Sequence, residues 1–188
     1  MHFLVKTSLT AVLGIVFATV PMSAATIFST TLSGANETPP VASGGSGSAL
    51  VTLVADTLTV SITYTGLSTP GTAAHIHCCG VGIAAPIAVP FTTFTTGVTS
   101  GSFSASYDLT SAASYSTAFL MANGNTAASA EAAFIAGLNG GQTYANVHSM
   151  LFPGGEIRGQ LAAVPEPATA LLPGGVLAAL ALLRRKRA

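Results

Sequence analysis

The sequence predicts an all-β domain, an antiparallel Greek-key sandwich with one short helix, and two observations support this fold class. Over residues 57–65 and 102–108, apolar side chains alternate with hydroxylated ones. This period of two is typical of a strand with one face buried and the other solvated, as in antiparallel sheets. Similar short runs recur between Gly-rich turns, which favours a sandwich over a barrel.

The other strands are predicted by shorter runs of the same kind. They lie at residues 27–32, 49–54, 73–78, 143–149 and 156–161. A turn at Asp56 joins the strand at 49–54 to the strand at 57–65 in a hairpin. Pro39-Pro40 and the Gly-rich stretch at 44–47 are predicted loops.

One helix is predicted from Thr126 onward. Ala127, Ala130, Phe134 and Leu138 form an apolar stripe at helical spacing, and Gly140-Gly141 ends the segment.

Residues 1–25 have the three parts of a secretory signal peptide. Lys6 supplies the positive charge, an apolar run covers residues 9–20, and a Pro followed by small residues leads to Ala25. The apolar run is about a dozen residues, too short for a bilayer that requires roughly 20. Cleavage after Ala24 or Ala25 fits these small residues; we expect signal peptidase to cleave after Ala25 and the remaining chain to be exported.

Residues 164–188 carry a second sorting element. Pro165-Glu166-Pro167 precedes an apolar run at 168–183, and a basic cluster at 184–187 follows. By the positive-inside rule the cluster stays in the cytoplasm, so this short transmembrane segment anchors the protein transiently in the inner membrane. The arrangement resembles the PEP-CTERM sorting signal. The resemblance implies cleavage by an exosortase in a Gram-negative bacterium, and a final location at the cell surface or in the extracellular, biofilm-type matrix.

The charge of the region between the two signals excludes one class of function. Residues 26–164 hold five acidic residues and a single base, Arg158, which gives a net charge of −4 with His neutral. Nucleic-acid binding requires several Lys or Arg to neutralise phosphates. We therefore exclude nucleic acid as a partner.

Three histidines are candidate metal ligands. His75 and His77 are two residues apart on a predicted strand, so they project from one face. His148 lies on another predicted strand. Imidazoles from neighbouring strands can converge on Cu or Zn. The alternative is that all three rings hydrogen-bond within the sandwich and no cofactor is bound.

Cys78 and Cys79 directly follow the histidine pair and are the only cysteines in the chain. Three arrangements are open: a vicinal disulfide, a disulfide to another chain, or thiolate ligands beside His75 and His77. Export favours oxidation, which places either disulfide ahead of thiolate ligation.

Glu156 and Arg158 face the same way at the start of the last predicted strand, and we expect an ion pair between them. Anion binding by Arg158 is the functional alternative. The turn formed by Gly154 and Gly155 favours a structural role for the pair.

Four segments together resemble the CHRD domain, named after chordin. They are His75-Ile76-His77, Asn146-Val147-His148, the Pro-Gly-Gly-Glu-Ile-Arg-Gly-Gln run at 153–160 and the opening at 35–40. The resemblance covers about residues 27–162, and we assign 26–163 to one domain. It implies an immunoglobulin-like fold and no defined activity. The histidine pattern is also similar to the copper ligands of Cu/Zn superoxide dismutases, but residues 26–164 hold no further His to bind a second metal.

Two functional hypotheses follow. The first is a non-enzymatic binding or structural module whose partners are exopolysaccharide or surface proteins. We expect no enzymatic activity because the chain has no nucleophile elbow, no phosphate-binding loop and no Lys in residues 26–163. The second is a Cu- or Zn-binding protein with ligands His75, His77 and His148, of which a dismutase-like redox enzyme is the catalytic form.

Overall fold

The computed structural model describes residues 24–165. The predicted signal peptide up to Ser23 and the predicted sorting tail from Glu166 onward lie outside the described residues, including Glu166 and Pro167 of the motif. Ala25 directly precedes the first strand, and Pro165 follows the last one.

Within residues 24–165, nine strands form one antiparallel sheet that curls around a single core. The strands are β1 Thr26–Ser33, β2 Ser46–Val54, β3 Thr57–Thr65, β4 Gly71–Cys78, β5 Ile87–Pro90, β6 Gly101–Asp108, β7 Thr143–Ser149, β8 Ile157–Gln160 and β9 Ala162–Ala163. Their spatial order is β5-β4-β7-β8-β1-β2-β3-β6, with β9 also paired to β1. Fully buried side chains from both ends of this order, such as Ile76 of β4 and Ile62 of β3, share one hydrophobic cluster. The predicted mostly β, antiparallel and sandwich-like architecture is confirmed.

The alternating segment at 57–65 behaves as its pattern predicts. In β3, Leu58, Val60 and Ile62 have no exposed surface, while most of the intervening hydroxylated residues are exposed. The predicted hairpin is also confirmed, because β2 and β3 pair along their whole lengths across a two-residue turn at Ala55 and Asp56.

Two strands differ from the prediction. β5 was not predicted, because four residues are too few to show a period, and its terminal Pro90 is tolerated since β5 is an edge strand. The strand predicted at 156–161 is shorter: Glu156 precedes β8, and β9 is a separate two-residue strand.

The predicted helix is confirmed as α2, Ala127–Asn139. Thr126 caps it, with Oγ1 accepting the N–H of Ser129 at 3.2 Å. The expectation of one helix is incomplete, because a second helix, α1 Thr117–Ala122, precedes it. Its six residues make fewer than two turns, too few for a helical period to show. Among the described residues, no helix has the length and apolar character needed to cross a membrane.

Candidate metal centre

The three histidines lie on two adjacent strands. β4 and β7 pair antiparallel, and His148 of β7 lies opposite Ala73, two residues before His75. The residue between the two β4 histidines, Ile76, is fully buried in the core. Because side chains alternate along a strand, His75 and His77 project from the opposite face of the sheet, beside His148.

The three rings converge at this face. One ring nitrogen of each histidine lies within 4.8 Å of the corresponding nitrogen of the other two. His75 Nδ1 and His148 Nε2 are 3.1 Å apart. Zn–N bonds of roughly 2.0–2.1 Å place two ligand nitrogens about 3–4 Å apart. A pair of nitrogens at the 4.8 Å limit would therefore have to close by about 1–2 Å to bind one ion.

Backbone carbonyls set the orientation of two rings. His77 Nδ1 lies 2.8 Å from Ala85 O, and His148 Nδ1 lies 3.0 Å from Pro153 O. A carbonyl oxygen only accepts, so both Nδ1 atoms carry the proton and both Nε2 atoms are unprotonated. Within residues 24–165, His77 Nε2 is buried with no hydrogen-bond partner. A ring N–H held by a carbonyl is the usual support of an imidazole that binds metal through its other nitrogen.

His75 completes the set from the more exposed side. It is half-buried, whereas His77 and His148 are 7% and 8% exposed. Since His148 Nε2 has no proton, His75 Nδ1 donates to it in the metal-free protein. A metal ion bound here would take the place of that proton, and the neutral His75 ring would then carry its proton on Nε2.

The environment keeps all three rings neutral at physiological pH. Burial, together with repulsion from His148 and His77, lowers the pKa of His75 to about 4. Burial likewise lowers the pKa of His77 to about 4, although its hydrogen bond to Ala85 opposes the shift. Burial also lowers the pKa of His148, against the hydrogen bond to Pro153. Neutral imidazole is the form that binds metal.

Tyr144 of β7 supports His77 directly. The two rings stack at a centroid distance of 4.7 Å and an angle of 3°. Tyr144 Oη accepts the N–H of Ala85 at 3.1 Å, and Ala85 is the residue whose carbonyl binds His77. The guanidinium of Arg158 lies 4.2 Å from the Tyr144 ring centroid, which is a cation–π contact.

Residues 28–161 match the family described as the CHRD domain. This match covers more than half of the 188-residue chain and includes all three histidines. The chain belongs to the CHRD domain family. Searches of curated proteins and of solved structures each found no match. The histidine cluster and the loops that orient it therefore lie wholly inside the CHRD domain.

The expected ion pair between Glu156 and Arg158 is wrong. Glu156 Oε1 accepts from Ser43 Oγ and from the N–H of Ser68, each at 2.6 Å. Arg158 donates instead to three loop oxygens, namely Asn36 O, Ile83 O and Thr38 Oγ1. Each residue thus fastens its own set of loops to the CHRD sheet, and the Arg158 guanidinium is engaged within the protein.

Cys78 and Cys79 are joined as a vicinal disulfide in the structure. Cys78 is fully buried on the core side of β4, while Cys79 is exposed. Both sulfurs pack against Gly137 of α2, where a Cβ atom would lie only 2.5 Å from Cys78 Sγ. The ligand cluster found in residues 24–165 contains the three histidines and neither cysteine. The arrangement with thiolates beside the histidine ligands is therefore wrong.

Sequence reasoning missed several groups that frame the site. The carbonyls of Ala85 and Pro153 orient two histidines, but a backbone carbonyl leaves no signal in a sequence. Glu37, which is only 6% exposed, also went unnoticed, although it lies in the opening segment that resembles the family. By contrast, the period of two in the sequence already places Tyr144 and Asn146 on the face of His148.

The metal-free CHRD domain is expected to lose stability as the pH falls from about 6.5 towards 4. The folded-state pKa values of His75 and His77, about 4, lie below the ordinary 6.5. The unfolded chain therefore binds more protons between these values, and acid favours unfolding. The contribution of His75 and His77 to the free energy of unfolding is fully present above pH 6.5 and is lost as the pH falls from 6.5 to about 4.

Urea unfolding of the metal-free protein between pH 4 and pH 8 measures this effect. His77→Gln is expected to flatten the acid limb, since one of the depressed groups is removed. Glu37 has the opposite effect on the pH dependence of stability, because burial raises its pKa to about 7. Its contribution to the free energy of unfolding is fully present below pH 4.5 and is lost as the pH rises through 7. An acid limb of equal steepness in His77→Gln would contradict the assignment to His77.

Proposed function

We propose that this protein is an exported, non-enzymatic binding module of the CHRD family that holds one Cu or Zn ion through His75, His77 and His148. The observation that carries the proposal is the convergence of three ring nitrogens within 4.8 Å of one another. Neutral protonation states and carbonyl-fixed tautomers leave lone pairs available at His77 and His148.

A purely structural role for the histidines is less well supported. A structural ring is expected to have its buried polar atoms hydrogen-bonded, because an unsatisfied one costs roughly 1–3 kcal/mol. His77 Nε2 is buried and has no partner among the described residues. A metal ion would satisfy this nitrogen.

Copper is the metal we expect to bind more tightly. The cluster in residues 24–165 consists of imidazoles and includes no carboxylate. Imidazole suits both Cu and Zn, and at such a site Cu(II) binds more tightly than Zn(II) in the Irving–Williams order.

Export and sorting are part of the same proposal. Signal peptidase removes residues 1–25, and the tail at 164–188 then anchors the chain transiently in the inner membrane. An exosortase cleaves the tail and releases the protein to the cell surface or exopolysaccharide matrix of a Gram-negative bacterium. The net charge of −4 and the hydroxyl-rich faces of residues 26–164 support an extracellular role. Mass spectrometry of the mature protein should find an N-terminus at Thr26 and a C-terminus near Pro165. An intact chain in the cytoplasm would contradict this part of the proposal.

An immunoglobulin-like Greek-key topology also belongs to the proposal. It is supported by the family and by three non-sequential strand pairs, β4–β7, β1–β8 and β3–β6. An experimental structure that gave a different strand order would overturn it.

The direct test of the metal site is elemental analysis. The chain is produced in an exporting host without an affinity tag of histidines, offered Cu(II) and Zn(II) together, and freed of loosely bound metal by gel filtration. About one equivalent of metal per chain, mostly copper, is expected. Folded protein that carries less than about a tenth of an equivalent would overturn the metal proposal, and the histidines would then be structural.

A further inference from the structure

A cavity whose lining includes none of the three histidines opens on the domain surface. It has a volume of about 220 Å³ and lies between the segment at 37–41 and the loop at 151–155. Pro39, Val41 and Phe152 supply apolar lining, while Glu37 supplies a carboxyl group. A cavity of this size is smaller than the roughly 300–1,000 Å³ of typical drug-sized sites, so it suits a small ligand.

Glu37 is the unusual residue of this cavity. It is 94% buried, since only 6% of its surface is exposed, and its Oε1 atom is buried without a hydrogen-bond partner within residues 24–165. Arg158 is the cation that acts on it, yet the hydrogen bonds of Arg158 go to other groups. A buried carboxyl oxygen without a donor costs free energy, because it has lost its hydration without gaining a replacement.

A second unpartnered acceptor lies beside the first. Asn146 Oδ1 is also buried without a partner in the described part of the chain. Both side chains approach Gly155: a Cβ atom there would lie 2.5 Å from Asn146 Nδ2, 2.7 Å from Glu37 Oε1 and 2.9 Å from Asn146 Oδ1. Gly155 itself lines the cavity. Both unpartnered oxygens therefore lie beside a residue of the cavity lining, to which Glu37 also belongs and Asn146 does not.

These features select the chemistry of a ligand. A primary ammonium group has three N–H donors and no acceptor, so it can satisfy both oxygens at once. Its positive charge complements the carboxylate of Glu37, whose pKa burial raises to about 7 against the opposing effect of Arg158. An anion or an isolated acceptor would leave both oxygens unsatisfied.

We propose that this cavity binds a small alkylammonium group, with Glu37 Oε1 and Asn146 Oδ1 accepting its N–H bonds and the apolar lining covering its alkyl chain. The group belongs to a free amine or to a lysine side chain, which share this chemistry. The inference does not depend on a metal ion at the histidines.

The test uses the full-length chain in a mild detergent and NMR titration of the Gly155 amide and the Asn146 side-chain amide. The probes are n-butylammonium, n-butyltrimethylammonium and n-butanol. We expect n-butylammonium to bind in the millimolar range and at least tenfold more tightly than the other two, because only it combines charge with N–H donors. Equal binding of the quaternary and primary ammonium ions would overturn the proposal, as would no binding of n-butylammonium.

A variant of Glu37 tests whether its carboxyl group is responsible for the binding of n-butylammonium. Glu37→Gln keeps the shape of the side chain, and we expect it to weaken n-butylammonium at least tenfold while leaving n-butanol unchanged. Unchanged affinity of a folded Glu37→Gln variant for n-butylammonium would overturn the role of Glu37. Nα-acetyl-lysine methylamide, a further probe, distinguishes a lysine side chain from a free amine. If this probe binds, the proposal extends to lysine side chains. If it does not bind while n-butylammonium does, the proposal is restricted to free amines.

Discussion

His148→Ala is expected to lower the affinity of the protein for Cu(II) by more than about 100-fold. Changing a residue that merely supports a metal ligand already costs roughly 10–100-fold, and this variant removes one of the three nitrogens. It also removes the ring that His75 Nδ1 contacts at 3.1 Å. Competition titration against a chelator of known affinity measures the loss.

The control for this variant is Thr63→Ala. Thr63 is exposed on β3, a strand on the other side of the sheet order from β4 and β7. It is expected to keep wild-type copper affinity. Wild-type affinity in a folded His148→Ala variant would show that the histidines do not form the copper site.

Gly155→Ala is expected to destabilise the protein by about 3 kcal/mol or more, the largest stability effect that we predict for a single substitution. Gly155 has a φ of +133°, a conformation that side chains rarely adopt, and such strain costs roughly 1–3 kcal/mol. The new methyl group would also lie 2.5 Å from Asn146 Nδ2, and overpacking adds roughly 1–3 kcal/mol. Urea unfolding at pH 7 gives the free-energy difference.

Gly154→Ala is the matched control, one residue away. A Cβ atom at Gly154 meets nothing within 4 Å, so a change within about 0.5 kcal/mol is expected for this surface position. Similar unfolding midpoints for the two variants would contradict the assigned crowding around Gly155.

Much of the sheet could be predicted from the sequence because strand periodicity is a local property. The alternation in 57–65 reports that one face is buried, and β3 buries Leu58, Val60 and Ile62 as expected. β5 and α1 could not be found in this way, because four and six residues are too short to show a period. Tertiary contacts stabilise these elements, as when Ser116, the cap of α1, donates to the carbonyl of Ile87.

The ion pair between Glu156 and Arg158 failed for a related reason. Spacing of two residues puts side chains on one face only within a continuous strand, and Glu156 lies just before β8. Its actual partners, Ser43 and Ser68, are more than 80 residues away in the chain. Spacing within one segment cannot indicate partners at that separation.

Local patterns in the sequence are enough to predict a strand-rich domain, its resemblance to the CHRD family and the shared face of His75 and His77. The pairing of β7 with β4, which brings His148 to that face across more than 70 residues, is visible only in the folded domain. The same holds for the ring nitrogens that carry no proton and for the approach of Glu37 to Asn146, because both depend on carbonyls and loops from distant parts of the chain. Side-chain periodicity acts over a few residues, whereas a binding site is built from contacts between segments that the fold alone brings together.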